Sequence, residues 1–174
     1  MRSENKKRLL AGAAKTDITP RLPVRLVGQY YTRLAVSVYS RLEANILALE
    51  DEDGDAAVFV SCDLLAVSRG FTAAVRRKLA EIADSPAPEC VMLSAIHTHT
   101  APYLSDDAMS GFWGDDFHIS PAPGSETLPA DYADEISGKI ALAIAEAWQA
   151  RRPVSLAAGF DHISIAYNRR TRYA

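Results

Sequence analysis

The chain has 174 residues, 48% of them hydrophobic and 24% charged, which fits one domain with a substantial core. Its net charge of −3 gives no electrostatic basis for binding nucleic acid or an anionic membrane. No apolar run approaches the length of a membrane span, and the charged start Met1–Leu10 has no apolar stretch behind it. A cytoplasmic protein is therefore expected, secreted only if the true N-terminus differs. Cys62 and Cys90, the only cysteines, each sit in or beside an apolar run and are expected to be buried and reduced.

Leu9–Thr19 reads as a strand stopped by Pro20, and Pro20 and Pro23 hold an extended segment as far as Gly28. Leu42–Glu50 and Ala56–Leu65 are two strands joined by Asp51-Glu52-Asp53-Gly54-Asp55. An Asp-Gly step between apolar runs predicts an antiparallel hairpin. Ser68 is a candidate N-cap for a helix whose apolar face is Phe71, Val75, Leu79 and Ile82. Pro86 and Pro88 end it and lead into a strand over Cys90–Ile96. A second helix spans about Asp131–Ala150, with Tyr132, Ile136, Ile140, Ile144 and Trp148 inward and Pro153 as its stop. Val154–Ile165 reads as a last strand carrying His162, taken as surface or structural.

The order predicts an α/β fold. It has a mixed sheet, an N-terminal antiparallel hairpin, then a strand–helix–strand–helix–strand unit with helices packed on the sheet. Such units make parallel neighbours, and ligands bind outside the carboxyl ends of their strands. Asp63 and His97 fall at two such ends.

Val91-Met92-Leu93-Ser94-Ala95-Ile96-His97-Thr98-His99-Thr100 is the most informative stretch. Two histidines at i, i+2 project to one side of a continuing strand and can still converge where a strand frays. Neutral imidazole is a good zinc ligand, but a catalytic zinc site needs three protein ligands and an open position. Two histidines alone do not decide between a site and ordinary polar residues. The long Thr100–Pro129 segment reads as a binding loop, a lid or disorder, and its place directly after the histidines suits a substrate-facing lid. Within it, His118 is a possible third ligand, though a loop histidine more often ligates nothing. Asp106, Asp107, Asp115 and Asp116 lack the spacing of a hard-cation site.

Taken together, these residues resemble the neutral/alkaline (non-lysosomal) ceramidase family. The resemblance rests on Ala11-Gly12-Ala13-Ala14-Lys15-Thr16-Asp17-Ile18-Thr19-Pro20, the Gly28 segment, and Val58-Phe59-Val60-Ser61-Cys62-Asp63-Leu64-Leu65. It continues through Ser94-Ala95-Ile96-His97-Thr98-His99-Thr100-Ala101-Pro102 and ends on Asn168-Arg169-Arg170. It implies a zinc amidase that cleaves the N-acyl bond of ceramide. By that resemblance His97 is a zinc ligand, and His99 and Arg169 face substrate oxygens. Gly28 forms backbone of the pocket wall, and Asp63 supports the site from behind.

The family's other ligands, a histidine, a glutamate and a tyrosine, lie beyond residue 174. Residues 1–174 are thus expected to be the N-terminal portion of a longer catalytic domain. Its missing C-terminal part or an oligomeric neighbour would complete it, and a lipid or other N-acyl amide would be the substrate. An apolar patch or unpaired strand edge is expected beside His97, near Leu64, Tyr103 and Tyr167. The alternatives are an inactive fragment or interaction domain that retains the motif, or a different metallohydrolase acting on another amide or ester.

Overall fold

The computed structural model describes residues 8–29, 31, 33–104 and 127–165. Strand β1 (Leu9–Asp17) ends two residues short of Thr19, because Ile18 and Thr19 turn the chain toward Pro20. Two short strands that the sequence reading missed follow, β2 (Val24–Leu26) and β3 (Arg33–Ala35), which pair antiparallel as a separate small sheet. The expected hairpin is then formed by β4 (Glu43–Asp51) and β5 (Ala56–Cys62), with Ala44 opposite Cys62 and Glu50 opposite Ala56.

Helix α1 (Arg69–Ile82) starts where the capping residue says it should. Ser68 Oγ accepts from the Phe71 amide at 3.1 Å, a cap worth about 1 kcal/mol. A single 3-10 turn, Pro88–Cys90, leads into β6 (Val91–Ala95), which lies parallel to β5. Helix α2 (Pro129–Gln149) follows, and β7 (Arg152–Val154) closes the described structure. The five-stranded sheet has the order β6-β5-β4-β1-β7.

Both helices pack on one face of this sheet. Ala44, Ile46, Ala48, Val58, Val60, Cys62 and Val91 meet Phe71, Val75 and Leu79 of α1 and Tyr132, Ile136, Ile140 and Ile144 of α2 in one core. The three isoleucines are fully buried, each contributing about 1.5–3 kcal/mol relative to exposure. The Tyr132 hydroxyl, also inside, donates to Ile18 O at 2.7 Å and ties the start of α2 to the exit of β1. Burial pushes its phenol far above the usual range. Ile82, expected on the apolar face, is the last residue of α1 and is exposed.

The opposite face of the sheet lies open. Leu47, Phe59 and Met92 are cross-strand neighbours there, 43%, 45% and 48% exposed. The expected patch beside His97 is a different matter. Leu64 and Tyr103 are 1% and 6% exposed, because Leu64 joins the main core and Tyr103 packs with Val27 and Leu65, and Tyr167 lies outside the described residues.

The last strand also departs from expectation. β7 covers three residues, not Val154–Ile165, and pairs antiparallel with β1 at the far edge instead of parallel with β6. The cause is the path of α2, which crosses β4 and β1 and delivers the chain beside Ala11. Pro153 lacks an amide hydrogen and suits such an edge position. Residues 155–165 have no regular structure and are exposed, His162 among them with its ring against Phe160.

Cys62 is buried and Cys90 half-buried, and both are free thiols. Burial, with Asp63 adding, pushes the Cys62 thiol up to about 12, so it stays protonated at neutral pH and is no nucleophile.

Candidate functional site

Because β5 and β6 are parallel, their carboxyl ends reach the same edge of the sheet, and the chain continues the pairing beyond both. The Ile96 amide donates to Cys62 O at 3.1 Å and the Thr98 amide to Leu64 O at 3.2 Å. His97 Nδ1 lies 3.0 Å from Leu65 O. A carbonyl oxygen only accepts, so Nδ1 carries the proton in this contact. In the neutral ring Nε2 is then left with its lone pair. Metal-bound histidines are held in this way, with the second nitrogen fixed by a carbonyl or carboxylate.

β6 stops at Ala95, so the two histidines do not share a strand face. His97 instead adopts φ 65°, a left-handed conformation uncommon outside glycine but several-fold enriched for histidine. That turn brings the two imidazoles edge to face, with centroids 5.1 Å apart and planes at 76°. Both histidines are solvent-accessible.

His99 is fixed from the side of β2 and β3. Gly28, at φ 98°, lies against it: a Cβ there would be 2.6 Å from His99 Cγ and 2.9 Å from Nδ1. Val27 donates its amide to Ala101 O at 2.9 Å, and Leu26 bridges to Pro102. Arg33 donates to Val27 O at 2.8 Å and, in a shorter bond, to His99 O. Behind them Val27, Tyr103 and Leu65 form a small apolar cluster. Burial raises the Tyr103 phenol, and Arg25 and Arg33 partly offset it. Arg33 escaped the sequence reading, since nothing local marks an arginine that joins the Val27 carbonyl to the His99 carbonyl 66 residues away.

Asp63 stands at the same edge but is engaged with β4. Its Oδ2 accepts from the Glu43 amide at 2.9 Å, and its own amide donates to Glu43 O at 2.9 Å. Arg169, His118, Asp106, Asp107, Asp115 and Asp116 lie outside the described residues. Among the described residues no group of three or more His, Cys, Asp and Glu side chains could hold a metal ion.

The Thr16–Pro20 motif acquires a physical role beside this edge. The Asp17 carboxylate accepts from the Thr19 amide at 2.8 Å and pairs with Arg41, while Thr19 Oγ1 accepts from the Leu42 amide at 2.9 Å. Thr19 foremost, with Arg41 adding, lowers the Asp17 carboxyl from 3.8 to about 2. A depressed folded-state pKa stabilises the fold above the unfolded value, and that stabilisation is lost as pH falls through the folded one. The Asp17 side chain is 39% exposed, so solvent screening leaves about 1 kcal/mol. Asp17→Asn is expected to lose that much at neutral pH. The difference from the parent should vanish between about pH 4 and pH 2 in thermal unfolding. A gap that stayed constant across that window would show that the carboxylate charge is not what stabilises the turn.

A mostly apolar cleft of about 280 Å³ opens beside the Asp17–Thr19 turn, lined by Leu22, Val24, Leu26, Val38 and Leu42, with Thr19, Thr100 and Pro102 at its sides.

Comparison with known proteins gives a match in structure alone. No protein-family model and no curated protein sequence matches the chain. The fold superposes on the crystal structure of neutral ceramidase from Pseudomonas aeruginosa with a TM-score of 0.65 at 20% identity. The match covers 86% of this chain and 23% of that one. A ceramidase complexed with C2 gives 0.67 at 20% identity, covering 85% and 22% respectively. The chain thus has a ceramidase-like fold and spans less than a quarter of the length of either protein.

Proposed function

We propose that this chain supplies part of the active site of a zinc-dependent hydrolase of N-acyl amide bonds, of the ceramidase kind. The observation that carries the reading is His97. Its Nδ1 is committed to Leu65 O, its Nε2 is free to ligate, and His99 packs against it at the carboxyl edge of a ceramidase-like fold. The two imidazoles fit one part of a zinc site, and the other ligands would come from outside the described residues.

Zinc in such a site supplies Lewis-acid activation of water and of the amide carbonyl at neutral pH. His97 would hold it through Nε2. His99, fixed by Gly28 and by the Arg33 bond to its carbonyl, would donate to the oxygen on which charge develops. Arg169 would face the same polar group of the substrate.

The purified chain is expected to bind zinc through His97, measured as a titration of the imidazole resonances. His97→Ala should weaken that binding at least about tenfold, since neutral imidazole is the ligand removed. Equal zinc affinity in His97→Ala would sink the assignment. For the hydrolysis itself, amine release from a short-chain N-acylsphingosine is expected only where the remaining ligands complete the site, and there it should require zinc and disappear with a chelator.

A further inference from the structure

The bonds of Arg33 close a circuit around the histidine turn. Its guanidinium donates to Val27 O at 2.8 Å and also to His99 O. The Val27 amide in turn donates to Ala101 O at 2.9 Å, and Leu26, opposite Arg33 in the β2–β3 pair, bridges to Pro102. The backbone is thus held on both sides of Thr100, and the His99 peptide swings only if the circuit breaks. Stability does not account for an arginine at this place. Both partners are neutral carbonyls, no carboxylate pairs with Arg33 among the described residues, and its Nε is buried with no acceptor there. A buried donor without an acceptor, on a cation without a counter-ion, works against the fold.

We infer that Arg33 is a positioning residue, which fixes the His99 carbonyl, and through it the imidazole, at the expense of stability. Local costs of this kind are kept where a site needs its geometry held. Arg33 acts through His99 and not on a substrate. The small β2–β3 sheet, whose strands carry no histidine and no carboxylate, then belongs to the site as its frame.

The test compares the purified chain with variants by thermal unfolding and by the NMR resonances of the His99 ring. Arg33→Met removes both bonds and the unpaired charge together, so it is expected to unfold within about 3 °C of the parent. Its His99 resonances should nonetheless move. Arg33→Lys keeps the charge and can donate to both carbonyls from one nitrogen, as the arginine does, and should bring them most of the way back. Leu34→Thr changes the next residue of β3, which is 42% exposed and outside the circuit, and should leave them in place. Unmoved resonances in Arg33→Met would overturn the inference, as would equal movement in Leu34→Thr, which would mark a loosened sheet. A much larger fall in the unfolding temperature of Arg33→Met would overturn it too, by showing that the arginine holds the fold. Where the remaining ligands complete the site, Arg33→Met should lower kcat about a hundredfold at unchanged KM, since a displaced donor is lost to the transition state and not to substrate binding. That readout alone rests on the amide-hydrolase reading. A parent without hydrolytic activity would remove only the function proposed above, and the resonances would still decide the role of Arg33.

Discussion

Gly28→Ala is expected to displace His99 while leaving the sheet folded. A methyl group at position 28 would sit 2.6 Å from Cγ and 2.8 Å from Cβ of that histidine, and the backbone there has φ 98°. The conformation alone costs about 1–2 kcal/mol for a residue with a Cβ. His99 must also shift, and its carbonyl is held by Arg33, so ring and backbone move together. Under the function proposed above, loss of one oxyanion donor would lower turnover about a hundredfold, read as amine release. Gly54→Ala separates the two causes. Gly54 has φ 85° in the hairpin loop with nothing within 4 Å of an added Cβ, so it carries the backbone cost alone. Gly28→Ala should therefore lose at least as much stability as Gly54→Ala in thermal unfolding, and only Gly28→Ala should move the His99 ring resonances. Unchanged His99 resonances in Gly28→Ala would mean that Gly28 does not position the imidazole.

The parts of the fold that sequence made legible are those set by local chemistry. The Asp51–Asp55 turn, the Ser68 cap and the isoleucine ladder of α2 each act within a few residues, and each forms where its pattern lies. The histidine pair was legible as a pair, because the end of an apolar strand run is a local feature. Its geometry was not, since His97, in its left-handed turn, is held by the Leu65 carbonyl in the segment after β5. The same reason hid Arg33 and the short β2–β3 sheet, whose contacts run to the 99–102 segment. The alternation in Val154–Ile165 looked like a strand, yet a strand needs a partner, and only its first residue sits beside β1. Asp63 was recognised as a strand-end carboxylate, but not that one of its oxygens is committed to the Glu43 amide.

Gly12→Ala is expected to be the most destabilising single methyl addition in the described structure. Gly12 faces the carboxyl end of α2 from the middle of β1. A Cβ there would be 2.1 Å from Ala147 O, 2.8 Å from Arg151 N and 3.1 Å from Ala150 C. All three atoms are backbone, so no side chain can rotate away, and the helix end must lift from the sheet. That movement would carry Arg151 off Glu50 of β4, now 2.9 Å away. It would also loosen the pairing of Ala11 with Arg152, on which β7 depends. Overpacking of a well-packed core costs about 1–3 kcal/mol. Contact with fixed backbone should put this variant at the top of that range or above it, measured by urea unfolding. Faster amide exchange should accompany it in β7 and in the last turn of α2. Ala13→Val, one residue along on the open face and exposed, should change stability by no more than about 0.5 kcal/mol. If Gly12→Ala unfolded at the same urea concentration as the parent, the close seat of α2 on β1 would not be what holds the far edge of the sheet together.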